Sequence, residues 1–393
     1  MECRFDDLTG AGAGWVFEGA RGVVAARRPE DVPAVLAAVE EANRNKLFAA
    51  GFVAYEAAPG LDPALRVGAG APQARGRPPE LPLAWFGLFE RRRRAAGPPR
   101  PVTAALATAG AGWRWECARS WFDAAVATAQ QRIAAGWTYQ ANVTTRLSHP
   151  SITDPYGLYA GLAPAQGGAY CAYLEDEGWA IACASPELFF VRDGDRLVTR
   201  PMKGTAARGV DPVADRLAAD GLLGSAKERA ENVMIVDLLR NDLGRLARYG
   251  QVSVPALFEL EAYPTVWQMT STVEARVPAE CGLAETFRAL FPCGSVTGAP
   301  KVATMALLAE VEAGCRGVYC GAVGWSAPAG TRPSQRFAVA IRTAVVDRST
   351  GYAEFGVGSG ITAYSTAERE WAELEAKAAV VTRPGTGRAA GEP

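Results

Sequence analysis

Short runs of hydrophobic residues, bounded by turn residues, recur along the chain and predict β-strands. The expected strands cover residues 47–55, 83–89, 168–174, 179–184, 188–192, 196–200, 321–326, 336–346 and 352–357. Turns as short as Asp193-Gly194-Asp195 join neighbouring strands without a crossover, which favours antiparallel hairpins over a βαβ array. The pattern therefore predicts an α+β fold with large antiparallel sheets.

Longer segments between these runs are expected to form helices. They cover residues 33–43, 121–135, 225–239 and 365–381. Ser225 precedes Glu228 by three residues, and Ser365 precedes Glu368 by three, which is the spacing of a capping box. The helix after Ser225 continues with nearly unbroken apolar character to Leu239, so we expect it to be largely buried.

Two segments interrupt these elements and are expected to be surface loops or a linker. Residues 68–82 are rich in Gly, Pro and Arg, and residues 90–112 contain four consecutive arginines followed by three prolines. A bare arginine run without interleaved aromatic residues is more typical of a solvated loop than of a phosphate site. We therefore expect an N-terminal part over 1–112 that ends in this Pro/Arg-rich loop, a main region over 113–383, and a disordered tail over 384–393.

Composition narrows the class of protein. The 41 Lys and Arg against 42 Asp and Glu give no indication of a nucleic-acid or anionic-membrane partner. We find no signal peptide and no apolar run of about 18 residues, so no membrane span is expected. Eight cysteines without a Cys-x-x-Cys pair, and a single histidine, His149, exclude imidazole-based zinc sites and fit a reducing cytoplasm.

The glycine-rich segments match no nucleotide-binding motif. Residues 294–301 have the glycines and lysine of a phosphate loop but not its spacing, and residues 356–360 lack the dinucleotide fingerprint. The turn Gly358-Ser359-Gly360 allows close approach of the backbone, and its amides suit a carboxylate ligand. A packing turn or bulge is the alternative explanation for these glycines.

Four charged residues have an unusual setting. Glu231 lies one turn into an otherwise apolar helix, and Glu370 and Glu373 share one face of the last helix. Acids in such places are rarely buried unless they are paired or bind a metal, and an all-oxygen site suits Mg²⁺. A surface face in which Glu373 pairs with Lys377 is the alternative. Lys203, between a proline-containing segment and a glycine, is a candidate nucleophile or an ordinary loop lysine.

Six phrases in order along the chain resemble one enzyme family. They are Ser185-Pro-Glu187-Leu-Phe, Pro201-Met-Lys203-Gly204-Thr205, Glu231-Asn232-Val-Met-Ile-Val-Asp237, Gly294-Ser-Val-Thr-Gly298-Ala-Pro300-Lys301, Ala340-Ile341-Arg342-Thr343 and Gly358-Ser-Gly360-Ile. Together they resemble the chorismate-binding family of anthranilate, aminodeoxychorismate, isochorismate and salicylate synthases over residues 115–382. The resemblance implies a two-layered α/β sandwich with large facing antiparallel sheets, outer helices and an active site between the layers.

The lysine at position 203 resembles the aminodeoxychorismate branch, because the other branches carry alanine or an aliphatic residue there. The resemblance implies a Mg²⁺ ion held by Glu231 and Glu373, with Glu370 assisting. Glu187 would protonate the C4 hydroxyl of chorismate while Lys203 attacks C2. Ammonia would then add at C4 and expel the lysine, giving 4-amino-4-deoxychorismate.

The same resemblance implies a set of substrate-binding residues. They are Gly204, Thr205, Gln268, Trp325, Arg342, Gly358, Ser359 and Gly360. Gln268 stands where many relatives have a histidine, and Trp325 stands where a tyrosine often binds the carboxylate. Both side chains can donate a hydrogen bond in place of those residues.

No cysteine lies in a glutaminase-like setting, so the resemblance implies that ammonia comes from a separate glutamine amidotransferase subunit. The product would enter p-aminobenzoate and folate biosynthesis or a specialised aminobenzoate pathway. Two alternatives stay open: an anthranilate-type synthase that has acquired a lysine, and a non-catalytic chorismate-binding regulator.

Overall fold

The computed structural model describes residues 1–9, 14–68, 81–95, 97, 99, 112–263 and 266–382. In chain order, strands β1 to β18 are Glu2–Asp6, Trp15–Ala26, Phe48–Val53, Ala84–Arg94, Arg114–Trp115, Gln140–His149, Tyr170–Glu175, Trp179–Ser185, Leu188–Asp193, Arg196–Arg200, Met202–Ala207, Val252–Ala262, Val266–Arg276, Gly298–Ala299, Ala322–Ser326, Gln335–Val339, Thr343–Asp347 and Ala353–Ile361. Helices α1 to α9 are Val32–Arg44, Ala58–Leu61, Arg119–Ala134, Pro155–Gln166, Pro212–Gly224, Ala226–Gly244, Leu283–Leu290, Lys301–Val311 and Ala367–Thr382. None of these helices is long and apolar enough to cross a membrane.

Antiparallel pairing joins the strands into two layers. The first layer follows the order β13–β10–β9–β16–β15–β3–β4–β2. The second follows β1–β7–β8–β17–β18–β6. The short pairing of β1 with β2 connects the two layers. This arrangement confirms the expected α+β class.

Three apolar clusters explain why the layers face each other. The cluster between them contains Phe52 and Trp85 of the first layer, and both rings pack edge-on against Trp179 of the second. A second cluster lies between the first layer and helices α1, α6 and α7, and a third lies between the second layer and helices α3, α4 and α9. The molecule is therefore the two-layered sandwich with outer helices that the family resemblance implied.

The N-terminal residues are part of the same sheets. Strand β3 pairs with β15 from Ala49 to Val53, with Gly51 opposite Gly324. Strand β1 pairs with β7, with Phe5 opposite Ala172. The expected boundary at residue 112 thus divides the sequence but not the pairing. Much of the two expected loop segments and the whole of the expected tail lie outside the described residues.

The arginine run requires a correction, because it forms the end of strand β4 rather than a loop. Alternation along the strand turns Arg92 inward, where its guanidinium lies 4.1 Å from the Trp15 ring centroid and 4.4 Å from that of Trp325. Its two neighbours bind Glu18 on the paired strand β2. Cation–π contacts and ion pairs therefore hold these charges in a strand.

The two expected helix starts have different outcomes. The Ser225 hydroxyl accepts a hydrogen bond from the Glu228 amide at 3.3 Å, so it caps α6 as predicted. The capping box expected from Ser365 to Glu368 would start helix α9 at Thr366, but the helix begins one residue later, at Ala367. Thr366, rather than Ser365, accepts from the Arg369 amide at 3.4 Å.

Candidate active site

Two crossings of the chain between the layers bring Glu187 and Arg342 to one cavity. Strand β8 of the second layer leads into β9 of the first through Ser185-Pro186-Glu187, and β16 leads back to β17 through residues 340–342. The expected single strand over 336–346 is therefore two strands in different layers. The cavity beside these crossings has a volume of about 650 Å³, within the usual range for small-molecule sites.

The cavity collects most of the residues that the sequence singled out. Its lining includes Glu187, Lys203, Gly204, Thr205, Glu231, Gln268, Arg342, Gly358, Gly360, Glu370 and Glu373. Ser359 is fully buried beside it and donates a hydrogen bond to the Glu370 carboxylate. Helices α6 and α9 and strands β11, β13 and β18 supply these residues, apart from Glu187 and Arg342, which lie in the two crossings.

Trp325 requires a correction, because it does not reach the cavity. It lies on β15 in the apolar cluster between the layers, is 2% exposed and packs against the Arg92 guanidinium. Tyr319 lines the cavity instead. Gly356 makes room for its ring, since a Cβ there would lie 2.2 Å from Tyr319 Cγ. The expected role of Trp325 in substrate binding is therefore withdrawn.

Glu187 has the properties of a proton donor. It is 3% exposed, and its Oε1 has no hydrogen-bond partner among the described residues. Burial raises the pKa of its carboxyl to about 7, and the Ser295 hydroxyl and Lys203 ammonium limit that increase. A carboxyl with this pKa is partly protonated at neutral pH, which suits a general acid.

A bulge in β11 directs Lys203 across the cavity. The register between β11 and β13 shifts between Met202 and Thr205, and Gly204 within this bulge has a φ of 97°. Only glycine adopts such a conformation without strain. The Lys203 Nζ lies 3.2 Å from the point that a Cβ on Gly360 would occupy. The absence of a side chain at Gly360 therefore lets the amino group approach β18.

Gln268 supports this bulge with both ends of its amide. Its Nε2 donates to the Gly204 carbonyl oxygen at 2.8 Å, and its Oε1 accepts from the Thr205 hydroxyl at 3.0 Å. The side chain still lines the cavity, so substrate binding by Gln268 stays a prediction. Holding the bulge is a function that the sequence did not indicate.

Gln140 lies beside Gly360 of the cavity lining, and no role was assigned to it from the sequence. It is 1% exposed, its Oε1 has no partner among the described residues, and its Nε2 lies 2.4 Å from the point that a Cβ on Gly360 would occupy. Gly360 thus leaves space for both Gln140 and Lys203. The only sequence signal was the place of Gln140 in the segment Tyr139-Gln140-Ala-Asn142.

Three carboxylates reach the cavity from α6 and α9, but each has its own partner. Glu231 pairs with Lys227 at 3.7 Å, Glu373 pairs with Lys377 at 2.5 Å, and Glu370 accepts from Ser359. In the described ranges, no three acidic, cysteine or histidine side chains are arranged as a metal cluster. The alternative pairing of Glu373 with Lys377 is therefore present in this structure.

The charges around these carboxylates suit a cation. Burial raises the pKa of Glu231, the Lys203 ammonium opposes this, and the nearby charges of Glu228 and Glu370 raise it further. Enclosure in the cavity by itself raises the pKa of Glu373, but Lys377 and Lys203 bring it below its ordinary value. An all-oxygen donor set with mutual repulsion fits Mg²⁺, and here the lysines supply the neutralising charge.

Two cations lie at the glycine-rich end of β18. The Lys377 Nζ donates to the Gly358 carbonyl oxygen at 2.8 Å, and the Arg342 Nη1 donates to the Lys377 carbonyl oxygen at 2.7 Å. Burial lowers the pKa of Arg342. Both residues line the cavity, and a guanidinium and an ammonium there can bind a carboxylate ligand.

Comparison with known proteins places this geometry in a family. A family model described as chorismate binding enzyme matches residues 9–383. The chain belongs to the chorismate-binding enzyme family. The match takes in most of the N-terminal part, so the likeness extends well beyond the six phrases of the sequence.

Relatives in this family carry more than one activity name. The chain is 38% identical to aminodeoxychorismate synthase component 1 of Bacillus subtilis over 67% of its own length and 55% of that protein. It is 37% identical to an anthranilate synthase component 1 of Haloarcula marismortui over 82% of its length and 65% of that protein. The matched part thus spans less than two thirds of either relative. The crystal structure of anthranilate synthase component I from Streptococcus pneumoniae shares the fold, with a TM-score of 0.75, 23% identity, and coverage of 98% and 92% of the two chains.

In this member of the family, the glycine-rich segment that ends in Lys301 has a structural role. The Lys301 Nζ donates to Asp242 Oδ2 at 2.9 Å and to the Leu290 carbonyl oxygen at 3.1 Å, and both charged side chains are largely buried. Burial raises the pKa of Asp242, and the Lys301 charge opposes that increase. The resemblance to a phosphate loop therefore reflects a buried ion pair.

We expect Lys301→Met to lower the free energy of unfolding by about 3 kcal/mol, because it leaves the Asp242 carboxylate buried without a partner. Urea denaturation measures this loss. Lys46→Met, at an exposed lysine after α1, is the control and should change stability little. Unchanged stability with weakened substrate binding in Lys301→Met would instead place this lysine in the active site.

Proposed function

We propose that the chain is an aminodeoxychorismate synthase subunit that converts chorismate and ammonia to 4-amino-4-deoxychorismate. The observation that carries this proposal is the pair of Lys203 and Glu187 at one cavity. The acid is buried with a pKa near 7, and the lysine is close enough for its charge to lower that pKa. A nucleophile and a proton donor facing the same space are what the replacement of a ring hydroxyl by an amine requires.

The proposed reaction has two displacements. In the first, the neutral Lys203 amine forms a bond to C2 of chorismate, the ring double bonds shift, and the C4–O bond breaks. Glu187 gives its proton to the departing hydroxyl, which leaves as water. In the second, ammonia forms a bond to C4, the double bonds shift back, and the bond between C2 and Lys203 breaks. The product keeps its enolpyruvyl group.

The other cavity residues bind and orient the substrate in this proposal. Arg342 and Lys377 supply positive charge for a carboxylate beside the glycines of β18. Thr205 lies next to the bulge and lines the same cavity, and Tyr319 closes the space opened by Gly356.

We propose that Glu231 and Glu373, with Glu370 assisting, hold a Mg²⁺ ion. When bound, the ion neutralises a substrate carboxylate and orients the ring. Glu373 would first have to release Lys377, and Glu231 would have to release Lys227. The repulsion that raises the pKa of Glu231 would fall as the ion binds.

Removal of Mg²⁺ should abolish the reaction, and the three carboxylates should determine the affinity of the protein for Mg²⁺. We expect Glu231→Gln and Glu370→Gln to weaken Mg²⁺ binding by about 10-fold or more, measured by titration calorimetry without substrate. Glu368→Gln, at an exposed residue of the same helix as Glu370, is the matched control. Equal Mg²⁺ affinity in all three variants would place the ion elsewhere.

We further propose that a separate glutamine amidotransferase subunit supplies the ammonia. Relatives named component 1 imply a partner component in those proteins. The isolated chain should therefore use ammonium salts but not glutamine. Turnover of glutamine by the purified chain alone would contradict this.

One product analysis tests the proposed reaction. The purified chain is incubated with chorismate, Mg²⁺ and an ammonium salt at mildly alkaline pH, and the products are identified by chromatography and mass. Aminodeoxychorismate without free pyruvate supports the proposal. Anthranilate with pyruvate would support the second candidate, an anthranilate-type synthase, which the Haloarcula relative favours. Unchanged chorismate would favour a non-catalytic binding protein.

A further inference from the structure

Two buried polar side chains connect the helix of Glu231 with the bulge of Lys203. Asn232 on α6 is 1% exposed, and Ser271 on β13 is fully buried. The Asn232 Nδ2 donates to the Lys203 carbonyl oxygen at 3.3 Å, and the Ser271 hydroxyl donates to Asn232 Oδ1 at 2.6 Å. Neither residue lines the cavity, so they contact the backbone of Lys203 on the side away from the cavity.

Backbone groups at both ends determine the direction of these hydrogen bonds. The Lys203 carbonyl oxygen can only accept, so Asn232 turns its amino group towards it and its oxygen towards Ser271. The Phe258 N–H donates to Ser271 Oγ at 3.1 Å, and the Ser271 proton is donated to Asn232 Oδ1. Without the Ser271 hydroxyl, Asn232 Oδ1 would lose its donor, and the amide would be held only at its amino end.

The backbone at Phe258 is shaped for this contact. Phe258 has a φ of 60°, a left-handed conformation that aromatic residues rarely adopt. The register between β12 and β13 shifts on the segment from Ala256 to Glu259, so Phe258 lies in a bulge. A strained residue of this kind persists where its surroundings impose it. Its N–H is directed at Ser271 as a result.

The bulge of Lys203 is thus held at two successive carbonyl groups. Asn232 binds the carbonyl oxygen of Lys203, and Gln268 binds that of Gly204. Gly204, with its positive φ, has no side chain to restrict rotation there. The two amides supply the restriction that the glycine lacks.

We propose that Asn232, oriented by Ser271, is a positioning residue for Lys203. It sets the bulge so that the amino group points at the cavity beside Gly360, and it ties that bulge to the helix that carries Glu231. This inference rests on the proposed role of Lys203 as the nucleophile. Misplacement of a reacting group by about 1 Å costs on the order of 10²-fold in rate, so such a contact has catalytic weight.

The test compares Ser271→Ala, Ser271→Thr and Asn232→Leu in the full chain. Ser271→Ala and Asn232→Leu should lower kcat by about 10- to 100-fold and leave KM within about threefold, because the site remains but its nucleophile is misplaced. Ser271→Thr keeps the hydroxyl and should restore kcat. Thr286→Val, which removes a buried hydroxyl on α7 with its hydrogen bond to Gly282, is the control for loss of stability alone.

A second readout measures the placement of Lys203 directly. Acetylation by a small amine-reactive ester, followed by peptide mass spectrometry, gives the rate for Lys203 relative to exposed Lys46 in the same molecule. The pH dependence of this relative acetylation rate should shift in Ser271→Ala and Asn232→Leu but not in Ser271→Thr or Thr286→Val. Wild-type labelling and kcat in both Ser271→Ala and Asn232→Leu would overturn the inference.

The two readouts separate this inference from the proposed reaction. If Lys203→Ala is fully active, the nucleophile role fails, yet a shift in Lys203 labelling would still show that Asn232 positions the side chain. If Lys203→Ala is inactive but labelling and kcat ignore Ser271→Ala and Asn232→Leu, only the positioning role fails. A variant that unfolds is recognised by its circular dichroism, and the milder Ser271→Ala then decides.

Discussion

Lys203→Ala should lose formation of aminodeoxychorismate by about 10³-fold or more, because it removes the group that carries the ring through the first displacement. The other two lysines of the cavity lining, Lys227 and Lys377, pair with Glu231 and Glu373 and so do not replace Lys203. Steady-state turnover with chorismate, Mg²⁺ and ammonium measures the loss. Acid quenching of the wild-type reaction should also yield a peptide containing Lys203 with the added mass of a dehydrated substrate.

Lys203→Arg separates nucleophilicity from charge. Arginine keeps the positive charge that lowers the pKa of Glu187 but does not give up its proton at ordinary pH. We expect this variant to bind chorismate and to be almost as inactive as Lys203→Ala. Turnover within 10-fold of wild type in either variant would mean that ammonia adds directly without the lysine.

Glu187→Gln should lower kcat by about 10²- to 10⁴-fold, because hydroxide is a poor leaving group without a proton donor. In the wild type, the reaction needs a protonated Glu187 and a neutral Lys203, so the active form carries one proton fewer than the form that prevails at low pH. We therefore expect kcat/KM to rise with pH and to level off near pH 7, because the pKa of the Glu187 carboxyl is about 7. A pH profile of the free enzyme measures this change of slope, and a profile without an inflection near pH 7 would assign the proton to another group.

The same substitution should stabilise the fold at alkaline pH. Folding raises the pKa of Glu187 from 4.5 to about 7, so the favourable contribution of the protonated form is complete below pH 4.5 and lost as pH rises to 7. Above that pH, the free energy of unfolding of Glu187→Gln should be about 1 to 3 kcal/mol higher than that of the wild type. Asp242→Asn, at a buried acid paired with Lys301 outside the cavity, should lose stability and keep its kcat. A Glu187→Gln variant that is less stable at pH 8 would contradict the raised pKa.

The errors in the predicted strands have particular causes. Residues 252–262 contain Pro255, which argues against a strand, yet β12 pairs only with β13 in the described residues and so tolerates a proline. The four arginines suggested a loop, but stacking on Trp15 and Trp325 and pairing with Glu18 keep their strand folded. The apolar run over 336–346 concealed a crossing between layers at residues 340–342. Each case depends on partners that are distant in sequence.

The candidate site was easier to predict than its geometry. Glu187, Lys203, Glu231 and Arg342 were found because each lies in a short phrase whose residue types recur together in one family. Trp325 was misassigned because it stands where a tyrosine often binds the carboxylate, and a tryptophan at that position was expected to make the same contact. Strand β15 instead directs the Trp325 side chain into the apolar cluster between the two layers. Gln140 and Ser271 were missed because a buried amide and hydroxyl have no distinctive local pattern.

Local sequence determined the class of the fold, the capped start of α6 and the chemical types of the candidate site residues, because these depend on neighbours within a few positions. Only the tertiary structure decided which carboxyl groups are desolvated. Burial raises the pKa of Glu187 to about 7, whereas the charges of Lys377 and Lys203 hold the pKa of Glu373 below its ordinary value. The placement of Lys203 depends on Asn232, Ser271 and Gln268 from other elements. Desolvation and these hydrogen bonds depend on groups that are distant in sequence and close in space, so a local sequence pattern cannot predict them.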